Sequence, residues 1–390
     1  MRFSAVLSKI IPYYMYECVK QMIINRRKIN DALKDVDIRI SDVKQKVKRL
    51  NYKEYEDIVK FYVSQKLYQK HLDEAYKPGV DWEIILNKTW SSFKELAYKN
   101  EIEECSKFLD NFFRYKIMEG FWGETINGLH EKRRIMNFKA QLVAWIELNQ
   151  HKKKPINFNK LNFPMVGNPW GFKINDIMVI EPSMEYEFYA EYIQNLIAGI
   201  KNPKILEIGG GFGGLAYYLK SNNKKINYYA TDLTENLILQ KYFLSGCFEG
   251  GKKKIKLCQS PEDVVIGDFD GENGCVKLLP NYLIDSIPDN YFDLIINFRS
   301  FSEMPRITSD KYIKEASRLS KYLIYHENLY TKRRGVLHGM SSEDFADIDG
   351  FERKYKRFSM WPRYGRNSAY PCAEYLYEKT TKSVLRNYQT

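Results

Sequence analysis

One segment constrains this chain more than any other. Lys204-Ile-Leu-Glu-Ile208 reads as a short apolar strand, Gly209-Gly-Gly-Phe-Gly-Gly214 as a glycine loop, and Leu215-Ala-Tyr-Tyr-Leu219 as the start of a helix. A strand that runs through glycines into a helix lets backbone amides and the positive helix end approach a ligand. A Cβ at Gly209, Gly211 or Gly213 would block that approach or the backbone angles it needs. Strand and helix alternate beyond it. Ile226–Thr231, Phe292–Asn297 and Tyr322–His326 read as strands, and Thr234 to about Leu244 and Ser309–Leu319 as helices. The stretch Gly246–Gly274 reads as an insertion in which Ile255–Cys258 is a candidate strand, and Val276–Pro280 is taken as the third core strand. The expected architecture is α/β: a parallel sheet with one antiparallel edge strand and helices on both faces.

The glycines Gly209, Gly210, Gly211 and Gly213 also satisfy a dinucleotide-binding pattern, so they do not by themselves select the ligand. Two carboxylates do more. Asp232 ends the next strand, where an acid suits the two hydroxyls of a ribose. Glu207 sits just before the first glycine, where its charge would repel a pyrophosphate but tolerate an ammonium and a sulfonium. S-adenosylmethionine carries both cations and is the expected cofactor.

The remaining chain sets the frame. With 390 residues, 44% of them hydrophobic and 28% charged, two folded domains are expected. From about Tyr13 to Gln150 apolar residues recur at helical spacing, as in Tyr52–Val63. Lys77-Pro78-Gly79 closes one helix, Asp81 caps the next, and Gly120, Gly123 and Gly128 precede a helix over Lys132–Leu148. We therefore expect an all-helical domain over 1–150 and an α/β domain over 151–390, with 151–200 as linker and leading helix. Within that linker lie His151-Lys-Lys-Lys-Pro155, a solvated charge run, the turn Gly167-Asn-Pro-Trp-Gly171, and a helix from Pro182 to Ile200.

Lys9 interrupts the first apolar run, no span of roughly 20 apolar residues follows, and Cys18, Cys105, Cys247, Cys258, Cys275 and Cys372 form no CxxC pair. A cytoplasmic protein without membrane integration is expected. The net charge of +12 accords with anionic partners, yet abundant Lys, Asn, Ile, Tyr and Phe favour compositional bias as its cause, and nucleic acid is not the expected partner.

Ile205-Leu-Glu-Ile-Gly-Gly-Gly-Phe-Gly-Gly214 resembles the first motif of class I S-adenosylmethionine-dependent methyltransferases, and Ile284–Asn297 resembles the approach to their fourth strand. Within that superfamily Thr231-Asp-Leu-Thr-Glu-Asn-Leu-Ile-Leu-Gln240, Phe298-Arg-Ser-Phe-Ser-Glu-Met-Pro305 and Gly167–Gly171 resemble the sugar O-methyltransferase family. The likeness covers roughly the C-terminal 230 residues, with a fainter echo in Asn111–Arg114. It implies a Rossmann-like domain. It also implies that Glu207 and the glycines border the methionine end, that Asp232 grips the ribose with Leu233 beside it, and that Pro280 and Asn281 lie near the adenine. Asn297 and Phe298 would face the methyl donor.

The resemblance implies transfer of a methyl group to a hydroxyl of a sugar, nucleotide-sugar or glycan. A hydroxyl is a weak nucleophile at neutral pH, so a general base worth roughly 10² to 10⁴ in rate is expected. Glu303 is the first candidate and His326, beside Glu327, the second. Lys332-Arg333-Arg334 and His338 read as a loop over the site, and Phe358-Ser-Met-Trp-Pro-Arg-Tyr364 as an aromatic surface for a sugar face. No metal spacing is evident. The helical region is expected to act as a substrate lid or a homodimer contact. An RNA or protein methyltransferase, and a non-catalytic dinucleotide-binding protein, are the competing readings.

Overall fold

The computed structural model describes residues 31, 33–34, 36–41, 48–118, 131–150, 156–248, 255–265, 269–270, 273–330, 340–345, 347–361 and 371–380. The glycines at 120, 123 and 128, the charge run at 151–155, the loop residues 332–334 and 338, and residues 362–364 lie outside them.

The central sheet comprises β4 (Lys204–Ile208), β5 (Asn227–Asp232), β6 (Ile255–Leu257), β9 (Val276–Pro280), β10 (Phe292–Phe298), β11 (Ser320–Leu329), β12 (Phe351–Phe358) and β13 (Cys372–Lys379). Their order is β12-β13-β11-β10-β4-β5-β9-β6. From β6 to β11 neighbours are parallel, and β13 runs antiparallel between β11 and β12. The order reverses between β4 and β10, the place where open α/β sheets leave a crevice at the strands' carboxyl ends. All residues of β5 and β9 are buried, as strands covered on both faces should be.

Helices cover both faces. On one side lie α6 (Ser183–Leu196), α7 (Gly214–Asn222) and α8 (Thr234–Cys247), and on the other α9 (Pro261–Val265) and α10 (Arg306–Leu319). Alternation along β4 sends Ile205 into the first layer and Leu206 and Ile208 into the second, which leaves Glu207 on the α6–α7–α8 side.

Before the sheet come α1 (Tyr52–Tyr68), α2 (Val80–Thr89), α3 (Ser91–Tyr98), α4 (Ile102–Asp110) and α5 (Glu131–Gln150). Asn51 and Glu54 form a reciprocal capping box that starts α1. Tyr55, Ile58, Phe61 and Tyr62 on α1 join the same core as α8, and Tyr242 of α8 donates to Asp110 at 2.9 Å. Gly79, not Asp81, is the cap position of α2, Asp81 falling in the first turn, and a Cβ at Gly79 would stand 2.7 Å from Pro305 Cδ.

The N-terminal part is not all-helical. β1 (Ile38–Ser41) pairs antiparallel with β2 (Gly171–Ile174), which pairs with β3 (Ile177–Val179). Four residues of β1 are too few to reveal their period, and their partner lies far along the chain. The remaining strands, β7 (Phe269–Asp270) and β8 (Asn273–Gly274), form a small hairpin inside the insertion. Among the described residues, no helix is long and apolar enough to cross a membrane.

Candidate cofactor and acceptor site

The glycine loop turns at the end of β4 with Gly209, Gly211 and Gly213 at φ of 79°, 58° and 94°. These are left-handed values that glycine alone adopts without strain. Close packing adds a second demand, since a Cβ at Gly209 would lie 2.3 Å from Ser300 Oγ and one at Gly214 2.3 Å from the Tyr186 ring. Phe212 pins the loop into a cluster with Phe113 and Phe243. From α8, Gln240 donates to the Gly211 carbonyl at 3.0 Å.

Both predicted carboxylates converge on this loop. Glu207 is 3% exposed, and its Oε2 stands 3.1 Å from where a Cβ on Gly210 would be. The Tyr228 hydroxyl donates to it. Burial, with the Asp232 charge adding to it, pushes the Glu207 carboxyl up to about 8. Asp232 is 9% exposed and accepts from the amides of Gly211 at 2.9 Å and Leu233 at 2.7 Å and from Asn236 at 2.8 Å. Burial outweighs those hydrogen bonds and raises it to about 7.

Pro280 ends β9, and the Asn281 side chain donates to the Tyr76 carbonyl at 2.7 Å, drawing the segment after α1 over this end of the sheet. Asn297 is a latch between strands. Its amide donates to Ile208 O at 2.8 Å and to Ser300, and its oxygen accepts from Asn328 at 2.8 Å. Asn328 in turn accepts from the Ser302 amide and hydroxyl, which fixes the turn after β10. Phe298 packs on Tyr189 with ring centres 4.8 Å apart.

Arg299 follows at φ 65°, a left-handed value that costs a non-glycine residue free energy. Its guanidinium bonds Glu185 and approaches Glu327 at 3.7 Å, and Tyr189 and Ser359 donate to that same Glu327. Sequence reasoning missed Arg299 and Glu185; the one local signal was an arginine directly after the fourth strand.

The two base candidates separate. Glu303 is exposed and accepts from Trp82 Nε1 of α2 at 3.2 Å. His326 is a packing residue: it is 1% exposed and stacked on Tyr375 and Tyr377 at 4.7 and 5.7 Å. Burial lowers its pKa to about 3. An imidazole held neutral in the core does not collect a proton from an acceptor at pH 7, so His326 is withdrawn as a base.

No family model matches the chain. A release factor glutamine methyltransferase from Flavobacterium psychrophilum is 28% identical over 156 residues, 37% of this chain and 54% of the relative, so the chain spans about half that relative's length. Among solved structures, a magnesium protoporphyrin IX methyltransferase from Synechocystis PCC 6803 with bound SAM aligns over 51% of this chain and 81% of its own, at 12% identity and a TM-score of 0.33. A SAM-dependent methyltransferase from Aquifex aeolicus aligns over 51% of this chain and 94% of its own, at 18% identity and a TM-score of 0.33. In its strand order and in the position of its glycine loop, the chain has a Rossmann-like fold, a mixed sheet with helices on both faces.

Proposed function

We propose that this protein is an S-adenosylmethionine-dependent O-methyltransferase that acts on a sugar hydroxyl. One observation carries the cofactor reading: two buried carboxyls, Glu207 and Asp232, meet at one glycine loop with their pKa values pushed up to about 8 and about 7. Such a pair is relieved by a cationic ligand and aggravated by a pyrophosphate. Glu207 and Gly209–Gly213 would hold the methionine end, Asp232 and Leu233 the ribose, and Pro280 and Asn281 the adenine, with Asn297 and Phe298 bordering the donor. When bound, S-adenosylmethionine supplies an electrophilic methyl group.

The chain's own residues supply position and proton removal. Asn297, Asn328 and Ser302 hold the turn after β10, and Glu303, at the exposed end of that turn, takes the acceptor's hydroxyl proton. Arg299, held by Glu185 and Glu327, orients the acceptor. In the same proposal the enzyme is cytoplasmic, and residues 1–150 form a lid or dimer contact for the domain over 151–390. The curated relative favours a second reading, methylation of a protein side chain.

The test is to incubate the protein with S-adenosylmethionine and, separately, with sugar phosphates, nucleotide sugars, RNA and polypeptide, and to measure S-adenosylhomocysteine release and product mass. A sugar gaining one methyl group is expected; methylation of RNA or polypeptide alone overturns the sugar assignment.

A further inference from the structure

Glu207 is held by a partner from the neighbouring strand. Its Oε2 accepts from the hydroxyl of Tyr228, a fully buried residue of β5. In the parallel register Ile205 stands beside Tyr228 and Glu207 beside Ala230. Side chains two apart on a strand share a face, so only the methyl group of Ala230 lies between the tyrosine ring and the carboxyl. A larger side chain at 230 would stand in that path.

The surroundings of this pair are apolar. Ile205, Ala230 and Ile296, the residue beside Glu207 on β10, are all buried. A phenol hydroxyl in such a layer is costly without a partner, and the one it has among the described residues is the Glu207 carboxyl. Phenylalanine would fill the same space without that demand, so the hydroxyl serves the carboxyl rather than the packing.

Tyr228 also decides which oxygen of Glu207 is left for a ligand. Oε2 is taken by the hydroxyl and lies against the glycine loop, 3.1 Å from where a Cβ on Gly210 would be. Oε1 takes no hydrogen bond among the described residues, and it is not one of the unpartnered atoms closed off from solvent, as Gln240 Oε1 is. One oxygen fixed and one open gives a single acceptor beside the loop.

We propose that Tyr228 is a positioning residue for cofactor recognition: by holding Oε2 it presents Oε1 of Glu207 to the ammonium group of the methionine moiety. The role rests on S-adenosylmethionine being the cofactor. A hydroxyl that donates to the carboxylate also favours the charged form that an ammonium needs. The other titratable groups that bear on Glu207 are Asp232 of β5 and Tyr186 of α6, while Ile296 of β10 and Gln240 of α8 carry no charge.

The experiment is titration calorimetry of the full chain with S-adenosylhomocysteine, which has the ammonium, and with methylthioadenosine, which keeps the adenosine and thioether but lacks the amino-acid part. Tyr228→Phe removes only the hydroxyl. It should weaken S-adenosylhomocysteine by about tenfold at pH 7, leave methylthioadenosine unchanged, and move the rise of affinity with pH to higher pH. In a Glu207→Gln background the same substitution should lose most of its effect, because Tyr228 acts through that carboxylate. Wild-type affinity of Tyr228→Phe for S-adenosylhomocysteine, an equal loss for both ligands, or an equal loss in both backgrounds would overturn the positioning role. Wild-type protein that binds neither ligand is a separate outcome, which overturns the cofactor reading and the role of Tyr228 with it.

Discussion

Glu207, next to last in β4, and Asp232, last in the adjacent parallel strand β5, bury their carboxyls at one glycine loop, and burial raises the cost of ionising both. Filling the cradle with a cationic ligand should therefore release protons. We expect the affinity for S-adenosylmethionine to rise between pH 6 and 8, by up to about tenfold per pH unit for each proton released. Titration calorimetry in buffers of different ionisation enthalpy measures the release directly, and a pH-independent affinity would speak against a charged pair.

The same pair gives the ligand-free protein a pH signature. Glu207 moves from its ordinary 4.5 to about 8 and Asp232 from 3.8 to about 7, so the folded state binds more protons than the unfolded chain. Stability from these groups is complete below about pH 4 and lost as pH rises to about 8. Between pH 6 and 8 the Tm should fall, and Glu207→Gln should flatten that slope. An unchanged slope in the variant would show that Glu207 is not the group responsible.

Gly209→Ala meets two obstacles, a φ of 79° and a Cβ 2.3 Å from Ser300 Oγ. We expect a loss of about 1–3 kcal/mol in denaturant unfolding and a fall of at least about tenfold in cofactor affinity. Wild-type affinity in this variant would mean that the loop is not the cradle.

Glu303→Gln keeps an oxygen for Trp82 Nε1 and removes the basic carboxylate. Turnover should drop by roughly 10² to 10⁴ while cofactor affinity stays the same. Single-turnover rates measure this, and an unchanged rate would remove Glu303 as the base.

What the sequence reveals of this protein follows the range of the forces involved. The strand Lys204–Ile208, the glycine loop and the helix after it are written in consecutive residues, and even the third core strand Val276–Pro280 is legible through its own apolar run despite the insertion before it. The pairing of β1 with β2 is not, because it joins segments well over a hundred residues apart. His326 looked reactive because it ends a strand. Its neutrality is imposed by Tyr375 and Tyr377, which β13 lays over the ring from later in the chain. Arg299 and Glu185 likewise meet only because α6 packs against the end of β10.

The most direct test of the central claim is thermal stabilisation by S-adenosylhomocysteine and by NAD, measured side by side. A ligand at a hundred times its Kd adds about 2.7 kcal/mol, a Tm shift of roughly 3 °C for a chain of this size. We expect S-adenosylhomocysteine to produce such a shift and NAD to produce none; selective stabilisation by NAD would contradict the assignment.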